Sequence, residues 1–183
     1  MLGSAAAIAA GGLVVATSPA DAATPGPRIG AIGIARLWGT ATKSRIDPAT
    51  NRRVFYPEVR TKKLYEGTAK HILNRGGVSH WTGTVPPLSN GNTVLFGHRT
   101  AAAGPLRNAH KLRIGDAITL IVGGESLAYY VSQEPFVVSA SDLETVGTYG
   151  DGTKPVLTMV SCSKLNKKPT SKKYRLLIRA EAL

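Results

Sequence analysis

Turn signals interrupt this chain so often that only short elements fit between them. Ser89-Asn90-Gly91-Asn92, Arg113-Ile114-Gly115-Asp116, Gly123-Gly124 and Tyr149-Gly150-Asp151-Gly152 each favour a reversal, because Gly, Asn and Asp reach turn conformations that other residues avoid. Between the turns lie brief apolar runs. Residues 29–37, 62–66, 93–96, 117–122, 127–132, 136–138, 156–160 and 174–178 read as strands, with Gly123-Gly124 closing a hairpin. Residues 69–74, 105–112 and 141–145 hold at most a helical turn each, the first capped by Thr68 and stopped at Gly76-Gly77. Residues 38–57 are polar and turn-rich, with a turn at Asp47-Pro48, and residues 78–87 read as loop. Seven or eight short strands with brief helices predict a mostly β single domain, a barrel or a sandwich.

At 183 residues the chain fits one compact domain plus a tail or anchor. Its single cysteine forbids an intramolecular disulfide, so packing alone must hold the fold. Residues 2–17 carry no charge and are mostly Ala, Gly, Leu and Val, a run shorter than the roughly 20 apolar residues of a spanning helix. The run fits the apolar core of an export signal, and Ala20-Asp21-Ala22 matches a small-x-small cleavage site. The expected division is a signal or membrane anchor over 1–23, a linker over 24–28 and a folded domain over 29–183. This division predicts attachment to the outer face of the cell membrane through the N-terminal segment, or secretion. The formal net charge of +12 favours anionic partners: nucleic acid, acidic lipid head groups or an anionic wall polymer. Aromatics are few, the basic residues are scattered, and neither zinc-finger spacing nor a glycine-rich phosphate loop occurs. No nucleic-acid partner, metal or cofactor is therefore expected.

The chemistry concentrates in residues 155–183. An apolar run ends at Ser161-Cys162, a lysine-rich segment spans 163–173, and a second apolar run opens at Tyr174-Arg175. If the two runs are neighbouring strands, a thiol and a guanidinium share one end of a sheet, and positive charge favours the reactive thiolate. A lone cysteine is more often a small buried hydrophobe. A possible partner is His98, which follows the buried run 93–96 at Gly97 and is well placed to project into a cleft. His80, beside Trp81, reads as a packing or surface histidine. Arg179 lies four residues past Arg175, so both point to one face of a strand; it competes with Arg175 for the place beside the thiol or stands as a solvent-facing charge, and the position near the strand start favours Arg175. Along the first run, Thr158 and Val160 share a face with Cys162, and Ser161 points the other way. The lysine-rich segment reads as a solvated charge run.

Three pieces together resemble the sortase family, the cysteine transpeptidases of Gram-positive bacteria. Thr158-Met159-Val160-Ser161-Cys162 is similar to the family's T-L-x-T-C signature, with Met159 in place of Leu and Ser161 in place of Thr. The stretch from Gly91 to Thr100 is similar to the strand that delivers the family's histidine, and Arg175 before Leu176-Leu177-Ile178 matches its arginine. The resemblance covers residues 29–183 and is nearest to the class E enzymes of actinobacteria. It implies a closed eight-stranded β-barrel with short helices. It implies Cys162 as nucleophile, His98 as acid and base, Arg175 as oxyanion donor, and Thr158 and Ser161 in support beside bound substrate. It further implies cleavage of an LPXTG-like or LAXTG-like sorting signal between Thr and Gly. The partners would then be surface proteins carrying that signal and an amine on a cell-wall peptide or a pilin lysine. A hydrolytic cysteine peptidase and a non-enzymatic basic module that docks on the cell wall are the competing readings.

Overall fold

A computed structural model describes residues 26–183. The export or anchor segment expected over 1–23, with the first two linker residues, lies outside them. The described chain runs β1 (Arg28–Gly33), α1 (Ala35–Trp38), β2 (Thr40–Ile46), β3 (Arg53–Val59), β4 (Thr61–Glu66), α2 (Lys70–Leu73), β5 (Val78–His80), β6 (Gly91–Gly97), β7 (Ala117–Val122), β8 (Glu125–Val131), β9 (Phe136–Ser139), β10 (Pro155–Ser163) and β11 (Tyr174–Ala182). Short 3-10 turns lie at Ala109–Lys111 and Ala140–Thr148.

Eight of these strands close a ring in the order β10-β6-β5-β4-β1-β7-β8-β11, because β11 pairs back onto β10. Closure leaves no free edge in the ring. The ninth strand of the sheet, β9, pairs with the first half of β11 while β8 pairs with its last residues. The fold is the closed eight-stranded, mostly β barrel that the resemblance implied. The longest strands, β10 and β11, have nine residues each and form its spine.

Alternation along these strands sorts side chains to two faces. Leu95, Leu157, Met159, Leu176, Ile178 and Ala180 point into the barrel, where they join Ile32, Leu64, Leu120 and Tyr129 in the main core. Each fully buried Leu or Ile there contributes roughly 1.5–3 kcal/mol relative to exposure. The opposite face of β6, β10 and β11 is not left to water. Val94, Val160 and Leu177 form a second apolar cluster with Val146, flanked by Trp81, Phe96, Phe136, Val138 and Leu143. The 3-10 segment Ala140–Thr148 is thus laid across the outside of the barrel.

A buried polar relay fixes that segment. Asn92 is buried; its Nδ2 donates to the Val146 carbonyl at 2.7 Å, and its Oδ1 accepts from Thr158 Oγ1 at 2.9 Å. One amide therefore ties β6, β10 and the covering segment together. At the far end of the same face, Tyr149 Oη donates to Glu181 Oε1 at 2.9 Å, and Lys154 pairs with Glu181 Oε2 at 2.6 Å.

Several local readings are corrected. The run expected over 29–37 ends as a strand at Gly33, and Ala35–Trp38 turn into a helix whose indole donates to the Pro105 carbonyl. Residues 38–57 are not loop: β2 and β3 form a separate two-stranded hairpin. The Asp47 turn does occur at its tip, where the carboxylate accepts from the Ala49 N–H and the Thr50 hydroxyl. The start of the expected loop 78–87 is a buried strand, β5. Thr68 does not cap α2, whose N-cap is Ala69 without a side-chain bond. The 3-10 segment is capped by Ser139, whose Oγ accepts from the Ser141 N–H.

Two outcomes follow. Asn92→Ala strands the Val146 carbonyl and the Thr158 hydroxyl without partners, at about 1–3 kcal/mol for each buried group; urea unfolding should show a loss of about 2–4 kcal/mol with an unchanged slope. The second concerns Glu181, whose carboxyl is held below its ordinary value of 4.5 by the hydrogen bond from Lys154 and then that from Tyr149. A carboxyl lowered by folding stabilises above its unfolded value, and that contribution is lost as pH falls through the folded one. The melting temperature of the parent should exceed that of Glu181→Gln near neutrality. The gap should close as pH drops below the ordinary glutamate range.

Candidate active site

Register is what assembles the site. β10 pairs antiparallel with β11, and Cys162 stands directly opposite Arg175. On its other side β10 pairs in parallel with β6, the last partners being Val160 and Phe96. Two residues further come Cys162, still within β10, and His98, one residue past the end of β6. Because side chains alternate, a step of two along a strand keeps the face. Cys162 and Arg175 therefore form one row across two strands, and His98 leaves the neighbouring strand beside it. Beneath it lie a row of Phe96, Val160 and Leu177 and then a row of Val94, Thr158 and Arg179.

The top row opens into a cleft of about 320 Å³ lined by Trp81, Phe96, His98, Leu143, Cys162 and Arg175, with Thr68, Leu73, Gly97, Val160 and Ser161 completing its wall. The three side chains singled out from sequence thus meet in one place. Cys162 is the chain's free thiol and is half-buried. The apolar wall is fixed by an edge-to-face contact between Trp81 and Phe96, with ring centroids 5.9 Å apart. Such a cleft suits an extended peptide whose reacting carbonyl reaches the polar row.

His98 leaves the barrel directly after Gly97. A Cβ at Gly97 would lie 2.7 Å from Leu106 Cδ1, so glycine lets Leu106 pack against the backbone there and sets the angle at which His98 departs. The ring is oriented by Asn74, whose Oδ1 lies 3.0 Å from Nε2. An amide oxygen accepts, so Nε2 carries the proton, and Nδ1 is left to exchange one with a reacting group. Asn74 follows α2 and was not singled out from sequence. The available signal was the general need of a working histidine for an orienting partner.

Arg175 is held by the loop between β10 and β11. Its Nη1 donates to the carbonyls of Lys172 at 3.0 Å and Tyr174 at 2.9 Å, with Ser171 at 3.4 Å. The rest of the fork has no other partner among the described residues, so it can offer donors to the cleft.

The remaining candidates are placed differently. Arg179 shares a face with Arg175, but it is not a solvent-facing charge. Its guanidinium stacks on Tyr149 at 3.8 Å and faces Phe136 at 5.1 Å, and burial lowers its pKa. It stands two rows from Cys162, about 13 Å along the strand at 3.3 Å per residue. Thr158 and Ser161 are both buried. The Thr158 hydroxyl is committed to Asn92, and Ser161 Oγ, turned toward the barrel interior, has no partner. Ser161 adjoins the thiol at the cleft wall, whereas Thr158 lies in the same row as Arg179 and does not reach the cleft. His80 is a packing histidine, buried in β5, with Nδ1 2.8 Å from Glu66 Oε1 and Nε2 3.0 Å from the Val85 carbonyl. Among the described residues no three His, Cys, Asp or Glu side chains gather as a metal ion needs, and no helix is long and apolar enough to cross a membrane.

Comparison with known proteins gives a consistent answer. No curated protein matches the sequence. Among solved structures, a sortase E variant from Streptomyces avermitilis is 23% identical, and the likeness covers 88% of this chain and 91% of that one at a TM-score of 0.64. A lid variant of sortase A from Corynebacterium diphtheriae is 24% identical over 87% of this chain and 72% of that one, with a TM-score of 0.62. Sortase C1 from Streptococcus agalactiae is 24% identical over 85% of this chain and 67% of its own, with a TM-score of 0.64. Those likenesses speak for the fold. The sortase-domain family model matches residues 56–183, well over half of the sequence, and the chain belongs to the sortase family of cysteine transpeptidases.

Proposed function

We propose that this enzyme cleaves an LPXTG-like or LAXTG-like sorting signal between Thr and Gly and transfers the new C-terminus to an amine. The observation that carries the reading is the one cleft shared by His98, Cys162 and Arg175, with Cys162 directly opposite Arg175 and an apolar wall beside them. The Cys162 thiolate attacks the threonine carbonyl carbon and forms a C–S bond, while the carbonyl electrons move to oxygen. The Arg175 guanidinium, permanently charged and anchored at Nη1, donates to that oxyanion. The oxyanion collapses, the C–N bond breaks, and His98 protonates the departing glycine amine. A thioester remains. The incoming amine attacks it, His98 takes the amine's proton, and the thiolate leaves.

The donor substrates are surface proteins bearing a C-terminal sorting signal. The acceptor is an amine of a cell-wall peptide or a pilin lysine, and the domain works at the outer face of the membrane through its N-terminal segment. The family's usual place at the cell surface and the net charge of +12, which suits an anionic wall, both support this location. The preference for LAXTG rests on the likeness to class E enzymes, one of which the chain spans nearly end to end.

Fluorogenic LPXTG and LAXTG peptides test the reading directly. Cys162→Ala should abolish their cleavage, and an added oligoglycine amine should divert the product from free acid to ligated peptide. Free acid alone at saturating amine would instead mark a hydrolytic peptidase. Absence of turnover, with salt-sensitive binding to an anionic polymer that survives Cys162→Ala, would mark a basic docking module. The second prediction separates the two arginines. Arg175→Lys keeps the charge but removes the fork, and kcat should fall about 10²–10³-fold with KM little changed. Equal losses from Arg175→Lys and Arg179→Lys would sink the assignment of Arg175.

A further inference from the structure

The bulkiest fully buried side chain among the described residues is a cation. Arg99, the residue after His98, is 1% exposed. No carboxylate pairs with it among the described residues. Its acceptors are all neutral: Nε donates to the Arg107 carbonyl at 3.2 Å, Nη1 to the Cys162 carbonyl at 3.3 Å, and Nη2 to the Lys167 carbonyl at 3.0 Å and His110 Nδ1 at 3.0 Å. Burying a charge without a counter-ion is expensive, and an apolar side chain would fill the same space more cheaply.

The fork reaches three segments that are far apart in sequence. One is the loop that leaves β6 through His98 and continues to residues 107 and 110. The second is the end of β10 at the nucleophile itself. The third is the turn at Lys167, which adopts a left-handed φ of 62° in the loop leading to Arg175. Burial pulls the Arg99 guanidinium below its ordinary value. His110 is lowered by burial and then by Arg99, which keeps its Nδ1 free to accept.

We propose that Arg99 is a positioning residue. Its guanidinium clamps the Cys162 carbonyl and the Lys167 turn to the loop that carries His98, so thiol and imidazole keep one separation through both halves of the transfer. The inference rests on Cys162 and His98 being nucleophile and acid–base. It adds a fourth side chain that touches no substrate. A lysine cannot replace it, because one ammonium cannot span acceptors on three segments.

Steady-state kinetics on the sorting-signal peptide test the clamp. Arg99→Met keeps the stem and removes every donor. Its kcat should fall about 10²-fold, the scale of a small misplacement of reacting groups, with KM within about threefold, and Arg99→Lys should recover little of the loss. A kcat within about threefold of the parent, or a loss confined to KM, overturns the inference. If Arg99→Met does not fold, the His110 pair decides. His110→Leu removes one acceptor of the fork and should lower kcat several-fold at unchanged KM, and His110→Gln, whose amide oxygen can accept, should restore it. Equal kcat in the two His110 variants overturns the clamp. The parent and Cys162→Ala are run in the same assay: an inactive parent strikes the functional reading itself, whereas an active parent with an indifferent Arg99→Met strikes only this inference.

Discussion

The site depends on one strand being paired on both edges. β10 runs parallel to β6 and antiparallel to β11, and a one-residue slip on either side would turn its side chains to the wrong face. With the register as it is, the thiol stands opposite a guanidinium on β11, in a cleft that the imidazole following β6 also lines. Barrel closure makes the register robust, because slipping one strand would bury Val160 and Cys162 in the interior and expel Leu157 and Met159 from it. The placement of Cys162 opposite Arg175 and the packing of the core are therefore enforced by the same hydrogen-bond ladder.

Three buried polar groupings hold what apolar packing leaves free. Asn92 pins the covering 3-10 segment to the outer face through Val146 and Thr158. The His80–Glu66 pair links β5 to β4 and reaches the loop at Val85. Arg99 draws together the loops at the mouth of the site. Each lies where loops or covering segments meet the barrel, and there backbone groups lack ladder partners and must find others. The apolar clusters are non-directional and fill space. The polar groupings choose one arrangement of the loops within it.

Legibility in the sequence varied with the physics of each segment. The strand 117–122 is bounded by a glycine turn on each side and was found residue for residue. The hairpin of β2 and β3 was missed because most of its residues are exposed on both faces, so no alternation of apolar and polar residues announces it. β5 was missed because it is three residues long and fully buried, too short for a period to show. The sequence offered Arg179 only as a rival of Arg175 or a solvated charge, because nothing near it supplies the rings of Tyr149 and Phe136, which lie 30 and 43 positions away. Asn74 and Arg99 escaped for a similar reason: their roles exist only through partners that the chain brings back from elsewhere.

By itself the sequence determined the mostly β fold class and the approximate places of most barrel strands, and it singled out three residues whose chemistry suits acyl transfer. Those follow from local turn propensity, from apolar periodicity and from which side chains can act as nucleophile, acid or oxyanion donor. Tertiary structure alone decided that His98, Cys162 and Arg175 line one cleft, that Thr158 and Ser161 are buried, and that Arg99 is a cation sealed among neutral acceptors. A register between residues 64 positions apart, such as Phe96 with Val160, is a contest among pairings settled by the whole closed barrel, and no local stretch of the chain contains it.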